Sequence, residues 1–82
     1  MARPARHTSE HWESPVVTMM ELKKLTYPTT YHWAITEIGP RAIFIINSAV
    51  HFGWLKGRPT AMKYHEFVLT EEGRKMLNAT QR

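Results

Sequence analysis

The sequence predicts a small α+β domain with three helices, a two-stranded β-hairpin and a C-terminal helix. Two observations predict this class. Apolar residues recur at helical spacing before residue 53, and two strand-like runs then flank the turn-forming residues GRPT. The chain has 82 residues, of which 43% are hydrophobic, so it can form one hydrophobic core. We therefore expect a flexible N-terminal arm over residues 1–13 and one domain over residues 14–82.

The first helix is predicted to begin at Pro15. The preceding serine suits the cap, and proline suits the first helical position because its missing N–H would have no partner there. The run VVTMMELKKL that follows places Val16, Met19 and Met20 on one side at helical spacing, with Leu22 or the stem of Lys23 as a further member. This side is expected to face the core, where the methionines fill gaps. Pro28 disfavours helix at the residue before it, so the segment TYPTT ends this helix.

The second and third helices are predicted to be separated by a turn at Gly39-Pro40. Thr29 or Thr30 can cap the second helix, YHWAITEI, and a glycine in the left-handed conformation can end it. The run RAIFIINSAVHF then predicts a third helix over residues 40–52, which Gly53 ends.

The third helix is predicted to have an apolar side and a mixed side. The core side carries Ala42, Ile45, Ile46, Ala49 and Phe52, with Val50 at its margin. The outward side carries Phe44, Asn47 and His51, flanked by Arg41, Ile43 and Ser48. Core packing therefore explains most of the apolar character of the segment.

The hairpin is predicted over residues 54–69, since aromatic and branched residues in WLKG and KYHEFVL flank the turn. Thr70 is predicted to cap the last helix, TEEGRKMLNA. Glu71 and Glu72 in its first turn suit the positive end of the helix dipole.

From about Val16 to Ala79, this order of elements resembles the winged helix-turn-helix superfamily. Two signatures carry the resemblance: GWLKG, residues 53–57, and FVLTEEGRKML, residues 67–77, which is similar to the wing ending of MarR and PadR regulators. The resemblance implies DNA binding, with helix 40–52 in the major groove and hairpin 54–69 on the backbone. If Gly39 is the turn glycine, the chain departs from the pattern at Ile35, where such proteins have a small residue. Ala34 comes one position earlier, so a register shifted by one residue is the alternative. The chain also lacks the long dimerisation helices of the MarR group.

The outward side of the third helix and the hairpin supply the candidate contacts to double-stranded DNA. Asn47 can make two hydrogen bonds to adenine, and Arg41 can bind guanine or phosphate. Ser48 can bind a base or a phosphate, and His51 can bind a phosphate. Phe44 can contact a thymine methyl group. The hairpin cations are Lys56, Arg58 and Lys63. These charges, and a formal net charge of +4, favour a polyanionic partner. The resemblance to winged-helix regulators implies a role in transcriptional regulation.

A second hypothesis is a non-catalytic protein-interaction module, an inhibitor or adaptor that binds a partner protein through an outward patch at Ile43 and Phe44. Binding of RNA or single strands is a weaker third option. A homodimer would add the buried surface that a chain of this size often needs.

Several classes are not expected. The chain has no cysteine, and no nucleophile elbow, phosphate loop or paired carboxylates are present, so we expect neither an enzyme nor a cofactor. His7 and His11 are four residues apart, with Glu10 and Glu13 near them, but the segment is expected to be flexible and has no further ligand, so no metal site is expected. No secretory signal or membrane-spanning segment is recognisable, so a cytoplasmic protein is expected.

Overall fold

The computed structural model describes residues 12–61 and 65–80, and within them the fold is α+β. The four helices are α1 (Pro15–Leu22), α2 (Tyr31–Ile38), α3 (Ala42–His51) and α4 (Glu71–Thr80). The strands β1 (Leu55–Pro59) and β2 (His65–Leu69) form an antiparallel hairpin between α3 and α4. The order of elements is the predicted one. Most of the predicted arm, residues 1–11, lies outside the described residues, as does Lys63.

Local signals set the helix boundaries. The hydroxyl of Ser14 accepts a hydrogen bond from the N–H of Val17 at 3.2 Å, and α1 begins at Pro15 as predicted. Thr30 is the cap of α2, and Gly39 ends α2 with a positive φ of 98°. Helix α3 begins at residue 42 rather than 40, because Pro40 and the following arginine form a turn.

Helix α3 is the centre of the core. It packs on α1, α2 and β1, and the predicted core side of the helix is buried at Ala42, Ile45, Ile46 and Ala49. The other buried apolar residues are Met19, Leu22, Leu25, Ala34, Trp54, Leu55, Phe67 and Leu77. In α2, Ala34 is fully buried, whereas Ile35 is exposed.

Helix α1 buries only part of its predicted apolar side, at Met19 and Leu22. Val16 and Met20 are 69% and 58% exposed, so their predicted core positions are wrong. Thr18 takes an inward position instead, beside Met19 and Leu22. An apolar-residue pattern cannot predict this choice, because the inward residue is a polar one. The exposed side chains of α1 border an apolar groove of 350 Å³ next to α4.

A short extended segment adds to the edge of the hairpin. The N–H of Thr29 donates to the carbonyl of Phe67 at 3.0 Å, and the N–H of Phe67 donates back at 2.6 Å. The Tyr27–Pro28 peptide bond just before this pair is cis. Since α2 begins two residues after Thr29, this pairing places the first turn of α2 beside β2.

Two of the predicted hairpin cations, Lys56 and Arg58, lie on β1. Lys56 is opposite Val68, and Arg58 is opposite Glu66. Gly57 lies between the two cations and opposite Phe67, whose ring carbon Cε1 would be 3.1 Å from a Cβ at the glycine. Because Gly57 has no side chain, the buried ring of Phe67 can lie directly against the backbone of β1.

Hydrogen bonds of Thr70, which lies in the middle of the segment FVLTEEGRKML, connect the start of α4 to the base of the hairpin. The hydroxyl of Thr70 donates to the carbonyl of Gly53 at 2.6 Å and accepts from the N–H of Gly73 at 3.0 Å. The N–H of Thr70 donates to the carbonyl of Trp54 at 3.0 Å. A Cβ at Gly73 would collide with this carbonyl group, 2.9 Å from its carbon. The Thr-x-x-Gly spacing therefore has a structural role in this chain.

None of the helices within residues 12–61 and 65–80 has the length and apolar character needed to cross a membrane.

Candidate nucleic-acid interface

The outward side of α3 has a half-buried asparagine at its centre and apolar side chains around it. Ile43, Phe44 and Val50 are 43%, 41% and 42% exposed. Asn47 is half-buried, and His51 is exposed. Val50, predicted at the margin of the core, thus lies on the solvent side, and the outward face is more apolar than the sequence pattern indicated.

A hydrogen bond from α2 holds the side chain of Asn47. The hydroxyl of Tyr31, the first residue of α2, donates to Oδ1 of Asn47 at 2.7 Å. The tyrosine ring meets the ring of Phe67 edge-on, with centroids 5.0 Å apart. Burial raises the pKa of the Tyr31 phenol, so the hydroxyl keeps its proton at neutral pH and remains a donor. Tyr31 was not among the predicted site residues.

Ser48 does not lie on the outward face, so its predicted position is wrong. The side chain is fully buried, and its hydroxyl accepts a hydrogen bond from the N–H of Glu13 at 2.7 Å. The segment that precedes α1 covers this part of α3. Helical periodicity placed Ser48 at the edge of the face, but the periodicity of one helix does not show which other segment lies against it.

The same segment contacts two further predicted site residues. The carboxylate of Glu13 forms an ion pair with the guanidinium of Arg41. The ring of Trp12 stacks on the imidazole of His51, with centroids 4.6 Å apart and an angle of 8° between the rings. Arg41 also lies over the ring of Phe44, 5.9 Å from its centroid. Residues 12 and 13, predicted as the end of the arm, therefore pack against α3.

The hairpin cations differ in their surroundings. Nε of Arg58 donates to a carboxylate oxygen of Glu66 at 2.7 Å, so a cross-strand ion pair partly offsets its charge. Lys56, two residues earlier on the same strand, is exposed. Residues two apart on a strand point to the same side, so both cations can approach one phosphate chain.

In the part of the chain that the structure describes, no three His, Asp or Glu side chains come together as metal ligands. No protein-family model, curated protein or solved structure matches this chain. A functional assignment therefore depends on the geometry of α3, α2 and the hairpin.

Proposed function

We propose that this chain is a small winged-helix DNA-binding protein that regulates transcription. Helix α3 enters the major groove and the hairpin contacts the phosphate backbone. The observation that carries the proposal is the position of Asn47, whose amide lies at the centre of the solvent-facing side of α3. The next element after α3 is the hairpin, and its first strand carries cations. An amide is one of the side chains best suited to the edge of a base.

The dimensions support this arrangement. Helix α3 has 10 residues, which corresponds to a length of about 15 Å. A helix is about 10–12 Å across with its side chains, and the major groove is about 12 Å wide. Lys56 and Arg58 follow directly after α3 on β1, and the formal net charge of +4 favours a polyanion.

The hairpin contact is tested by removing its charges. We expect the double variant Lys56→Gln and Arg58→Gln to bind all duplex sequences about tenfold or more weakly, since two phosphate contacts are lost. The dependence of log K on log salt should become shallower by about two units. Fluorescence anisotropy with labelled duplexes between about 50 and 200 mM salt measures both quantities.

The matched control removes the same two charges from α4, through Arg74→Gln and Lys75→Gln. If hairpin and control variants lose affinity equally, binding depends on net charge alone and the hairpin has no specific contact. If the unaltered protein binds no duplex even at low salt, the proposed function is wrong.

A second candidate function is a protein-interaction module, and the exposed apolar side chains of α3 favour it. In that case Phe44→Glu should abolish capture of the partner from a nuclease-treated extract, because a carboxylate would be buried in an apolar contact. The control is Val16→Glu on α1, where the side chain is 69% exposed. Equal capture by both variants would exclude α3 as the contact surface.

A further inference from the structure

We propose that α3 recognises A·T base pairs. In this inference Tyr31 positions the amide of Asn47 against adenine, and Ile43, Phe44 and Val50 contact thymine methyl groups. The recognition surface is the outward side of α3, formed by Ile43, Phe44, Asn47 and Val50. The inference rests on the proposed DNA-binding function and names the bases that this surface favours.

The first argument is the apolar character of the surface. In the major groove only an A·T pair carries a methyl group, on C5 of thymine. The exposed side chains of Ile43, Phe44 and Val50 have neither donors nor acceptors. Against any base pair these side chains exclude water from polar atoms of the groove edge without replacing the hydrogen bonds, which is costly. Against thymine they also bury a methyl group, which offsets part of this cost, whereas a G·C pair offers no methyl group.

The second argument is the hydrogen-bonding pattern of the Asn47 amide and its orientation by Tyr31. Adenine has a donor at N6 and an acceptor at N7, which match Oδ1 and Nδ2 of an asparagine. The Tyr31 hydroxyl bonds Oδ1 at 2.7 Å, and a carbonyl oxygen has a second lone pair for the adenine amino group. Guanine presents only acceptors at these positions, so it has no donor for Oδ1. Because Asn47 is already oriented, less conformational entropy is lost on binding.

The third argument concerns Arg41, the residue next to α3 that is best suited to guanine. Its guanidinium forms an ion pair with Glu13 and lies over the ring of Phe44. A bidentate contact to guanine would require the arginine to leave both partners. Because the side chain of Arg41 is 67% exposed, this ion pair is a weak restraint and adds only a small preference for adenine and thymine over guanine.

The fourth argument is the spacing, along α3, of the residues that form the recognition surface. Ile43, Asn47 and Val50 follow one another four and three residues apart and lie on one side of the helix. They span about 10 Å along the helix axis, which equals about three base-pair steps. We therefore expect an A·T-rich core of about four base pairs within a longer site.

The experiment has two steps and uses the full chain. Duplexes with random central sequence are selected at about 150 mM salt, where non-specific binding is weak, and the retained duplexes are sequenced. Each thymine of the enriched core is then replaced by deoxyuridine, which removes only the methyl group. We expect A·T enrichment and a loss of affinity of about fourfold at each contacted thymine.

The role of Tyr31 is tested by Tyr31→Phe, which keeps the ring against Phe67 and removes the hydroxyl. The preference for the selected site over the same site with G·C at the asparagine position should fall at least about fivefold, with affinity for random duplexes unchanged. The matched control is Tyr27→Phe, which removes a different hydroxyl, one that donates to the carbonyl of Leu22 at 2.8 Å.

The outcomes separate the inference from the proposed function. Enrichment of a G·C core, or equal affinity for the thymine and deoxyuridine sites, would overturn the inference while DNA binding stands. An unchanged preference in Tyr31→Phe would overturn the role of that residue. Absence of duplex binding at every salt concentration would overturn the proposed function and the inference together.

Discussion

Replacing Gly73 with alanine should lower the free energy of unfolding by about 3 kcal/mol, the upper end of the usual cost of overpacking. An added Cβ would collide with the carbonyl group of Trp54, so α4 would have to move away from the base of the hairpin. That movement would also lengthen the hydrogen bonds that Thr70 makes to Gly53 and Trp54. Helix propensity alone predicts the opposite sign, since alanine is favoured over glycine by about 1 kcal/mol.

Urea unfolding of Gly73→Ala measures this loss as a lower midpoint with an unchanged slope. The control is Asn78→Ala, at an exposed position of the same helix, which should change stability by less than about 0.5 kcal/mol. A Gly73→Ala variant at least as stable as the unaltered protein would show that α4 does not pack closely on Trp54.

Ile46→Ala should also be strongly destabilising, by about 2–5 kcal/mol. The side chain is fully buried on the core side of α3, so its removal loses transfer free energy and leaves a cavity. Losses of this size are a large part of the total stability expected for a domain of 82 residues. We therefore expect a fraction of this variant to be unfolded at room temperature.

Ile43→Ala is the matched control, because it makes the same change on the same helix at a side chain that is 43% exposed. Its free energy of unfolding should stay within about 0.5 kcal/mol of the unaltered value. Thermal unfolding followed by circular dichroism compares the two variants directly. Equal destabilisation would mean that the two faces of α3 are not assigned correctly.

The order of elements and most of their boundaries were predictable because their signals are local. Ser14, Thr30 and Gly39 each act on residues within one turn of themselves. The core side of α3 was predictable because four apolar residues repeat at helical spacing. The hairpin was predictable because strand-forming runs flank a turn in the same segment.

The contacts that shape the candidate site join residues far apart in the sequence. Ser48 is buried by Glu13, and Asn47 is held by Tyr31, yet nothing in the local pattern around these residues indicates either contact. Both depend on how other segments of the chain lie against α3. The inward side of α1 was only partly predicted for a related reason: tertiary packing buried Thr18 in place of larger apolar neighbours.

The pairing of Thr29 with Phe67 has a consequence for how the proposed recognition surface is assembled during folding. The two residues are 38 positions apart, and closing a loop of that length costs about 3 kcal/mol of chain entropy, about twice the cost of closing the hairpin itself. Contacts between distant residues are slower to form than local ones. We therefore expect the edge pairing that fixes the first turn of α2, with Tyr31, to form late in folding. The surface proposed to discriminate between bases is complete only when the whole domain is folded.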